Sequence, residues 1–189
     1  MTMRKQNRDK FLARFLDNNL RDAFKYVQVQ EGTNKNYIVY TNSHLLGVIP
    51  ADWTPQIAQF RDIRKTPFNF PDWERIVPEY KETTRNESKV KFEYIDIVRK
   101  DKENKKNIIC FLFDDGLLRA YNADYIYHIM QMTQQEEITL EAAKGNPNSI
   151  TEYIGAGAHF IIAPLTIDRV EEEYKAYYAT YGIKPKKSA

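Results

Sequence analysis

The sequence has few of the side chains from which metal and disulfide sites are built. Its 189 residues include one cysteine, Cys110, and three histidines, His44, His128 and His159. A single cysteine can neither form an internal disulfide nor anchor a structural zinc site, and no histidine stands at metal-ligand spacing from another ligand. Cys110 lies in the apolar run 108–112, so we expect a small buried hydrophobic residue in a reducing compartment. We expect no metal and no cofactor.

Long hydrophobic segments are also missing. No apolar run approaches the roughly 20 residues that a membrane-spanning helix needs. The basic residues within 1–10 are not followed by the apolar stretch of a secretory signal. We therefore expect a cytoplasmic protein with no membrane partner.

The motifs of common catalytic sites are absent as well. Asp114 and Asp115 precede Gly116 between two apolar strands, which is typical of a hairpin turn. The small residues 155–158 are followed by a β-forming run, whereas a phosphate-binding loop requires a helix there. No serine stands in a nucleophile-elbow pattern. The sequence therefore predicts a protein that is not an enzyme.

What the chain does contain is material for a packed core. Hydrophobic residues make up 42% of it. Periodicity and turn residues predict the following elements in order: a helix over 7–26, strands over 26–29, 37–41 and 45–49, a proline-rich stretch over 52–78 with a short helix near 56–63, strands over 90–98, 108–113 and 117–121, a helix over 123–132, strands over 138–142, 150–154 and 159–163, and a C-terminal helix over 166–182.

This order indicates two halves, each made of a helix followed by antiparallel strands. It predicts an α+β fold of antiparallel sheets with two helices on one face, plus an extra C-terminal helix. We expect one domain over 1–165, the C-terminal helix over 166–182 packed on that domain or on a partner, and a basic, mobile tail over 183–189.

Basic side chains are concentrated near the N-terminus. On the predicted first helix, several of them fall on the face opposite to the apolar one. A solvated outer face is the common explanation of such a stripe, and a surface that meets phosphates is the alternative. The candidate DNA-binding residues are Arg4, Lys5, Arg8, Lys10, Arg14, Arg21 and Lys25.

Four segments match, in the same order, the motifs of one family. Residues 37–46 resemble a strand ending in T-D-G-H-R-L, and residues 70–78 resemble F-P-D-Y-x-R-V-x-P. Residues 120–126 are similar to F-N-x-x-Y-L, and residues 159–165 to Y-V-I-M-P-M. Together these segments resemble the bacterial sliding clamp, the β subunit of DNA polymerase III.

The resemblance implies a clamp-like domain over 1–165, with sheets outside and helices that line a ring around DNA. It also implies a role in replication, in which the clamp tethers a polymerase or another DNA enzyme to duplex DNA without reading its sequence. Members of the family carry three such domains in one chain. This chain has room for one, so a ring would require a homo-oligomer.

The resemblance further implies a hydrophobic groove that binds short peptide motifs of replication or repair proteins. Carried over position by position, the groove residues are Thr41, His44, Leu46, Pro71, Arg75, Ile76, Ile162, Pro164 and Leu165. Ordinary core packing is an equally good explanation for Leu46 and Ile162.

Three functions follow, in order of preference. The first is a non-catalytic, sliding-clamp-like protein of DNA replication, from a phage or mobile element, that binds duplex DNA non-specifically and partner peptides in the groove. The second is a monomeric or dimeric adaptor that keeps the fold without encircling DNA. The third is an enzyme whose site would be assembled from scattered residues such as His44, Asp72 and Arg75.

Overall fold

Residues 2–73, 85–100 and 107–165 are described by the structure, which is a computed structural model. Within them the helices are α1 (Arg8–Asp17), α2 (Pro55–Phe60), α3 (Phe92–Lys100) and α4 (Ala123–Thr133). The strands are β1 (Gln28–Gln30), β2 (Tyr37–Thr41), β3 (Leu45–Pro50), β4 (Arg85–Lys91), β5 (Ile108–Leu112), β6 (Leu118–Asn122), β7 (Glu137–Ala143), β8 (Thr151–Gly155) and β9 (Ala158–Ile162). In this part of the chain no helix is both long and apolar enough to cross a membrane.

Seven of the strands form one antiparallel sheet in the order β1-β2-β3-β9-β8-β7-β4. α1 precedes the run β1–β3, and α4 precedes the run β7–β9. The two runs meet at the centre, where Leu45 of β3 lies opposite Ile162 of β9 and Val48 opposite His159. The two halves that the sequence indicates are therefore joined by the pairing of their last strands.

One face of this sheet carries the main core. Side chains alternate across a strand, so Ile38 and Tyr40 of β2 pack under the helices while Val39 faces the other way. α1 contributes Leu12 and Leu16 to the same core, both with no exposed surface. α4 contributes the buried side chains of Ala123, Ile126, Ile129, Met130 and Met132. The predicted arrangement, with two helices on one face of an antiparallel sheet, is confirmed.

The remaining two strands, β5 and β6, form a hairpin whose turn carries a buried ion pair. Arg119 has no exposed surface and donates to both carboxylate oxygens of Asp115, at 3.0 and 3.2 Å. Its Nη2 also donates to the carbonyl oxygens of Ala143 (2.8 Å), at the end of β7, and Asn146 (3.2 Å), in the β7–β8 connection. The backbone N–H of Gly145 donates to Asp115 at 3.0 Å. The pair therefore fastens the hairpin to the large sheet.

The ion pair also determines the protonation state of the buried carboxyl. Burial alone would raise the pKa of Asp115, but the hydrogen bonds from Arg119 and from two backbone N–H groups outweigh it and lower the pKa to about 2. Asp115 is therefore ionised at any pH at which the protein is handled. The predicted hairpin turn is confirmed, and Gly116 supplies its positive φ of 78°.

The first helix is shorter than predicted, since it ends at Asp17 and not at residue 26. The Asn19 side chain donates to the carbonyl oxygens of Phe15, Leu16 and Phe24, at 3.0 to 3.3 Å. It therefore satisfies the carbonyls that another helical turn would have used. Leu20, which the helical pattern places on the apolar face, is 100% exposed.

The predicted strand over 90–98 is also wrong. β4 ends at Lys91 and α3 follows at once. Phe92, Ile95 and Val98 are buried at helical three-residue spacing, and the side chain of Lys100 donates to Asp96 one turn earlier, at 2.6 Å. Buried and exposed residues alternate along β4, and Phe92, the first residue of α3, continues that alternation. A strand predicted from alternation therefore extends into the helix.

The other strands and α4 lie close to their predicted bounds, and the short helix predicted near 56–63 is α2. The C-terminal helix over 166–182 and the tail over 183–189 lie outside the described residues.

Removing the charge of Asp115 should cost far more stability than removing that of its neighbour. We expect Asp115→Asn to lower the free energy of unfolding by about 3 kcal/mol, because Arg119 stays buried without its counter-charge. The matched control is Asp114→Asn, an exposed carboxylate one residue away, for which we expect less than about 0.5 kcal/mol. Urea unfolding of the two variants measures both, and equal losses would contradict the role given to the pair.

Candidate nucleic-acid interface and peptide groove

Two of the predicted DNA-binding residues stand on the outward side of α1. Lys10 and Arg14 are exposed, whereas Leu12 and Leu16 point into the core. Among the described residues, neither basic side chain makes a hydrogen bond or an ion pair. The helical face is the face of the sheet that α1 and α4 cover. Both charges are therefore available to a ligand on this helical face.

Two more are brought to α4 by the N-terminal segment, residues 2–7. The backbone N–H of Met3 donates to Glu136 Oε1 at 2.7 Å, just beyond the C-terminal end of α4. Gln6 Nε2 donates to the hydroxyl of Tyr127 on α4 at 3.0 Å. Arg4 and Lys5 lie between these anchors and are exposed.

The sequence of α4 contains no Lys or Arg, so this segment supplies the cations that the helix lacks. Sequence patterns do not reveal this, because the segment has no periodicity and its anchors are more than a hundred residues away in the chain.

Arg8, by contrast, has a structural role. Its Nε donates to the carbonyl oxygen of Met132 at 2.7 Å, and its guanidinium lies 4.0 Å from the centroid of the Trp53 ring. Burial lowers the pKa of Arg8, and the charge of Asp52 partly offsets that effect. Arg8 therefore holds α1 against the end of α4.

Arg21 and Lys25 lie beyond the end of α1, so they do not continue its stripe. The guanidinium of Arg21 lies 5.6 Å from the Phe24 ring, and Lys25 pairs with Asp22 at 2.9 Å. Of the seven predicted residues, Arg4, Lys5, Lys10 and Arg14 are exposed on the helical face and have no side-chain partner among the described residues.

A cleft of about 470 Å³ opens between α1 and α4 on this face. Phe11 and Phe15 of α1 lie against the imidazole of His128, at ring-centroid distances of 5.1 and 4.4 Å. Arg14 lines the α1 side of the cleft, and Tyr125 lines the α4 side. An aromatic floor thus lies between polar walls.

Below the cleft, His128 is held neutral by its surroundings. Its Nε2 shares a 2.8 Å hydrogen bond with the hydroxyl of Tyr40, which is wholly buried in β2. Burial lowers the pKa of His128 to about 3 and raises that of Tyr40 well above its ordinary value. In the described ranges, no group of three His, Cys, Asp or Glu side chains could hold a metal ion.

Three of the residues predicted for the peptide groove lie together where β9 ends and β3 begins. The N–H of Ala163 donates to the carbonyl of His44, and the N–H of Leu165 to that of Ala120, both at 2.8 Å. His44, Pro164 and Leu165 are therefore neighbours, and Leu165 is 36% exposed. Thr41 is buried, and its hydroxyl accepts from the N–H of Ser43 in the β2–β3 turn.

The other described groove residues lie elsewhere. Leu46 faces away from the helices and belongs to a small apolar cluster with Val39 and Ile161, on which Phe70 and Trp73 pack. Pro71 belongs to this covering segment. Ile162 is in the main core on the opposite face of the sheet, with no exposed surface. Leu46 and Ile162 therefore cannot line the same groove. Arg75 and Ile76 lie outside the described residues.

With this geometry in hand, comparison with solved structures defines the class of fold. The β subunit of DNA polymerase III from Borrelia burgdorferi aligns with a TM-score of 0.56 at 12% identity, covering 85% of this chain and 63% of its own. The Pseudomonas aeruginosa subunit aligns with a TM-score of 0.55 at 11% identity, covering 87% of this chain and 68% of its own. The Thermotoga maritima subunit aligns with a TM-score of 0.52 at 12% identity, covering 88% of this chain and 67% of its own.

The chain has a sliding-clamp-like α+β fold, and the alignment covers 63% of the length of the Borrelia protein. No family model matches the sequence, and no curated protein matches it. The similarity is therefore one of fold.

His128 should make stability depend on pH in a window of its own. Its pKa is about 3 when folded and about 6.5 when unfolded. The unfolded chain therefore binds the proton first. The stabilisation is complete above the unfolded value and is lost as pH falls towards 3, by up to about 1.4 kcal/mol per pH unit. Asp115 has a pKa of about 2 when folded and about 3.9 when unfolded, so its stabilisation is complete above about pH 4 and is lost only below it.

Urea unfolding between about pH 7 and pH 4 tests this assignment. We expect His128→Gln to flatten the pH dependence in that range, and the exposed control His44→Gln to keep it. A slope unchanged by His128→Gln would show that other groups cause it.

Proposed function

We propose that this chain is a non-catalytic, sliding-clamp-like protein of DNA replication. Its helical face contacts duplex DNA without reading the DNA sequence. Partner peptides bind where β9 ends and β3 begins. The single observation that carries the proposal is the placement of four exposed cations, unpaired within the described part of the chain, on the helical face of a sliding-clamp-like sheet. A surface of this kind meets phosphates, which position a protein on DNA but carry no sequence information.

The strength of such binding is limited by the number of charges. Each phosphate neutralised contributes roughly −0.9 to the slope of log K against log salt, so four contacts give a slope of about −4. Binding of one copy is therefore weak and strongly salt-dependent. Several copies that contact one duplex would multiply the affinity, which supports an assembly of identical subunits around DNA.

The peptide-binding part of the proposal rests on a smaller surface than the family motifs imply. His44, Pro164 and Leu165 form one neighbourhood with an exposed aliphatic side chain. The Leu46 cluster is occupied by Phe70 and Trp73 of the chain itself. An aliphatic or aromatic anchor of a partner peptide would therefore dock against Leu165 and not against Leu46.

Charge reversal on the helical face should abolish binding to duplex DNA. We expect Lys10→Glu with Arg14→Glu to lower the affinity for a random-sequence duplex more than tenfold at low salt, because both charges meet phosphates. The control is Lys89→Glu with Lys91→Glu. It makes the same change in net charge at two exposed positions on the opposite face of the sheet, and it should retain most of the affinity. Fluorescence anisotropy measures both. Equal losses would indicate a net-charge effect and contradict the DNA-facing role.

The assembly itself is tested by light scattering across a concentration series. A closed multimer of about six copies is expected if each copy supplies one domain of a six-domain ring. A monomer at every concentration would rule out the ring and favour the adaptor, which keeps the fold and binds a protein partner without encircling DNA.

A further inference from the structure

The cleft between α1 and α4 has chemistry that phosphate-backbone contacts alone do not require. Its volume of about 470 Å³ lies within the range of small-ligand pockets. Phe11 and Phe15 contribute aromatic surface next to His128, and Tyr125 adds a phenol ring from α4. Tyr125 is fixed in place, because its hydroxyl accepts a hydrogen bond from Asn42 Nδ2 at 3.2 Å.

Polar groups at the rim keep unused hydrogen-bonding capacity. Arg14 lines the cleft and has no side-chain partner within the described ranges. Asn19 commits its Nδ2 to three backbone carbonyls, which leaves its Oδ1 as an acceptor. Asn122 accepts the N–H of Asp124 with its Oδ1, which leaves its Nδ2 as a donor. These three side chains therefore offer a ligand a cation, an acceptor and a donor at the rim.

The carboxylate in the lining does not cancel this positive charge. Asp124 receives Arg99 Nε at 2.6 Å on one oxygen and Asn107 Nδ2 at 3.0 Å on the other. The guanidinium of Arg99 lies 3.5 Å from the centroid of the Tyr127 ring, which braces the pair. Asp124 is thus internally neutralised, and the charge available to a ligand is that of Arg14.

We infer that this cleft binds one unpaired nucleotide of a nucleic-acid strand. The base lies against the aromatic surface beside Tyr125, and the adjoining phosphate pairs with Arg14. The inference rests on the proposed function, because it assumes that the helical face is turned towards DNA. It goes further by assigning a site for single-stranded or gapped DNA to that face.

The shape of the site explains why the nucleotide must be unpaired. In a duplex each base is stacked on its neighbours and its edge is occupied by its partner, so it cannot reach an aromatic floor beneath a rim. An unpaired base presents its faces to aromatic side chains and its edge to amides such as Asn19 and Asn122. Every base has a flat apolar face, so the site tolerates any sequence.

The phosphate contact is tested by neutralising one cation at a time. The probes are a fluorescein-labelled oligothymidylate of about 15 nucleotides and a duplex of the same length. Arg14→Gln should weaken oligothymidylate binding about tenfold. The control Lys89→Gln removes the same charge from an exposed position on the opposite face of the sheet, and it should weaken binding less than about twofold.

The stacking contact is tested at Tyr125. Tyr125→Leu should weaken oligothymidylate binding about tenfold, and Tyr125→Phe, which keeps the ring, should stay close to the unmodified protein. The control Tyr94→Leu changes an exposed tyrosine on α3 that does not line the cleft, and it should have no effect. A 2-aminopurine in the strand reports stacking directly. Its fluorescence should be quenched by the protein and by Tyr125→Phe, and not by Tyr125→Leu. Circular dichroism establishes that each variant is folded.

The two probes separate this inference from the proposed function. If the duplex binds while the oligothymidylate does not, or if Arg14→Gln and Lys89→Gln weaken oligothymidylate binding equally, the cleft site is refuted and the DNA-facing role stands. If the oligothymidylate binds with the expected dependence on Arg14 and Tyr125 while the duplex does not, the cleft site stands and the duplex role fails. If neither probe binds, both are overturned.

Discussion

The antiparallel pairing of β3 with β9 is the interaction on which the rest of the fold depends. It joins β1–β2–β3 to β9–β8–β7–β4 through four residue pairs. Without it, each half would be a small sheet with one helix and an incomplete core. Gly47 lies in this ladder between Tyr40 and Phe160. A Cβ on Gly47 would come within 2.6 Å of the Tyr40 ring, so only glycine lets that ring cross the strand.

Tyr40, which packs over Gly47 of this ladder, connects the sheet to the two helices that cover it. Its hydroxyl meets His128 of α4, and its ring packs edge-on against Phe15 of α1. One side chain of β2 thus contacts both helices. Phe11 and Phe15, which form the aromatic floor of the cleft, pack against the main core. The floor is therefore supported by close-packed side chains. At the rim, Asn19 and Asn122 are held by hydrogen bonds with the backbone, whereas Arg14 has no side-chain partner among the described residues.

Much of the fold was predictable from the sequence, because short apolar runs between turn residues mark β2, β3 and β9, and burial alternates along β7. The end of α1 was not, since Leu20 continues the apolar period while Asn19 closes the helix by side-chain hydrogen bonds. For the site, Lys10 and Arg14 could be identified from one helical face. The cleft could not, because it combines α1, the β2–β3 turn and α4, and nothing local signals their meeting. Leu46 and Ile162 illustrate the same limit. Motif matching selects both, but the pairing register places them on opposite faces of the sheet.

The anchoring of residues 2–7 along α4 has a practical consequence. Met3 is buried and held at Glu136, so any sequence fused upstream would leave the molecule at the helical face, close to Arg4 and Lys5. A polyhistidine tag there would add imidazoles that become cationic in mild acid, and an acidic tag would mask the cations already present. Either would alter the electrostatic potential of this surface without touching a native residue. Binding measurements on the helical face should therefore use a protein without an N-terminal tag, so that only its own residues set the charge of that face.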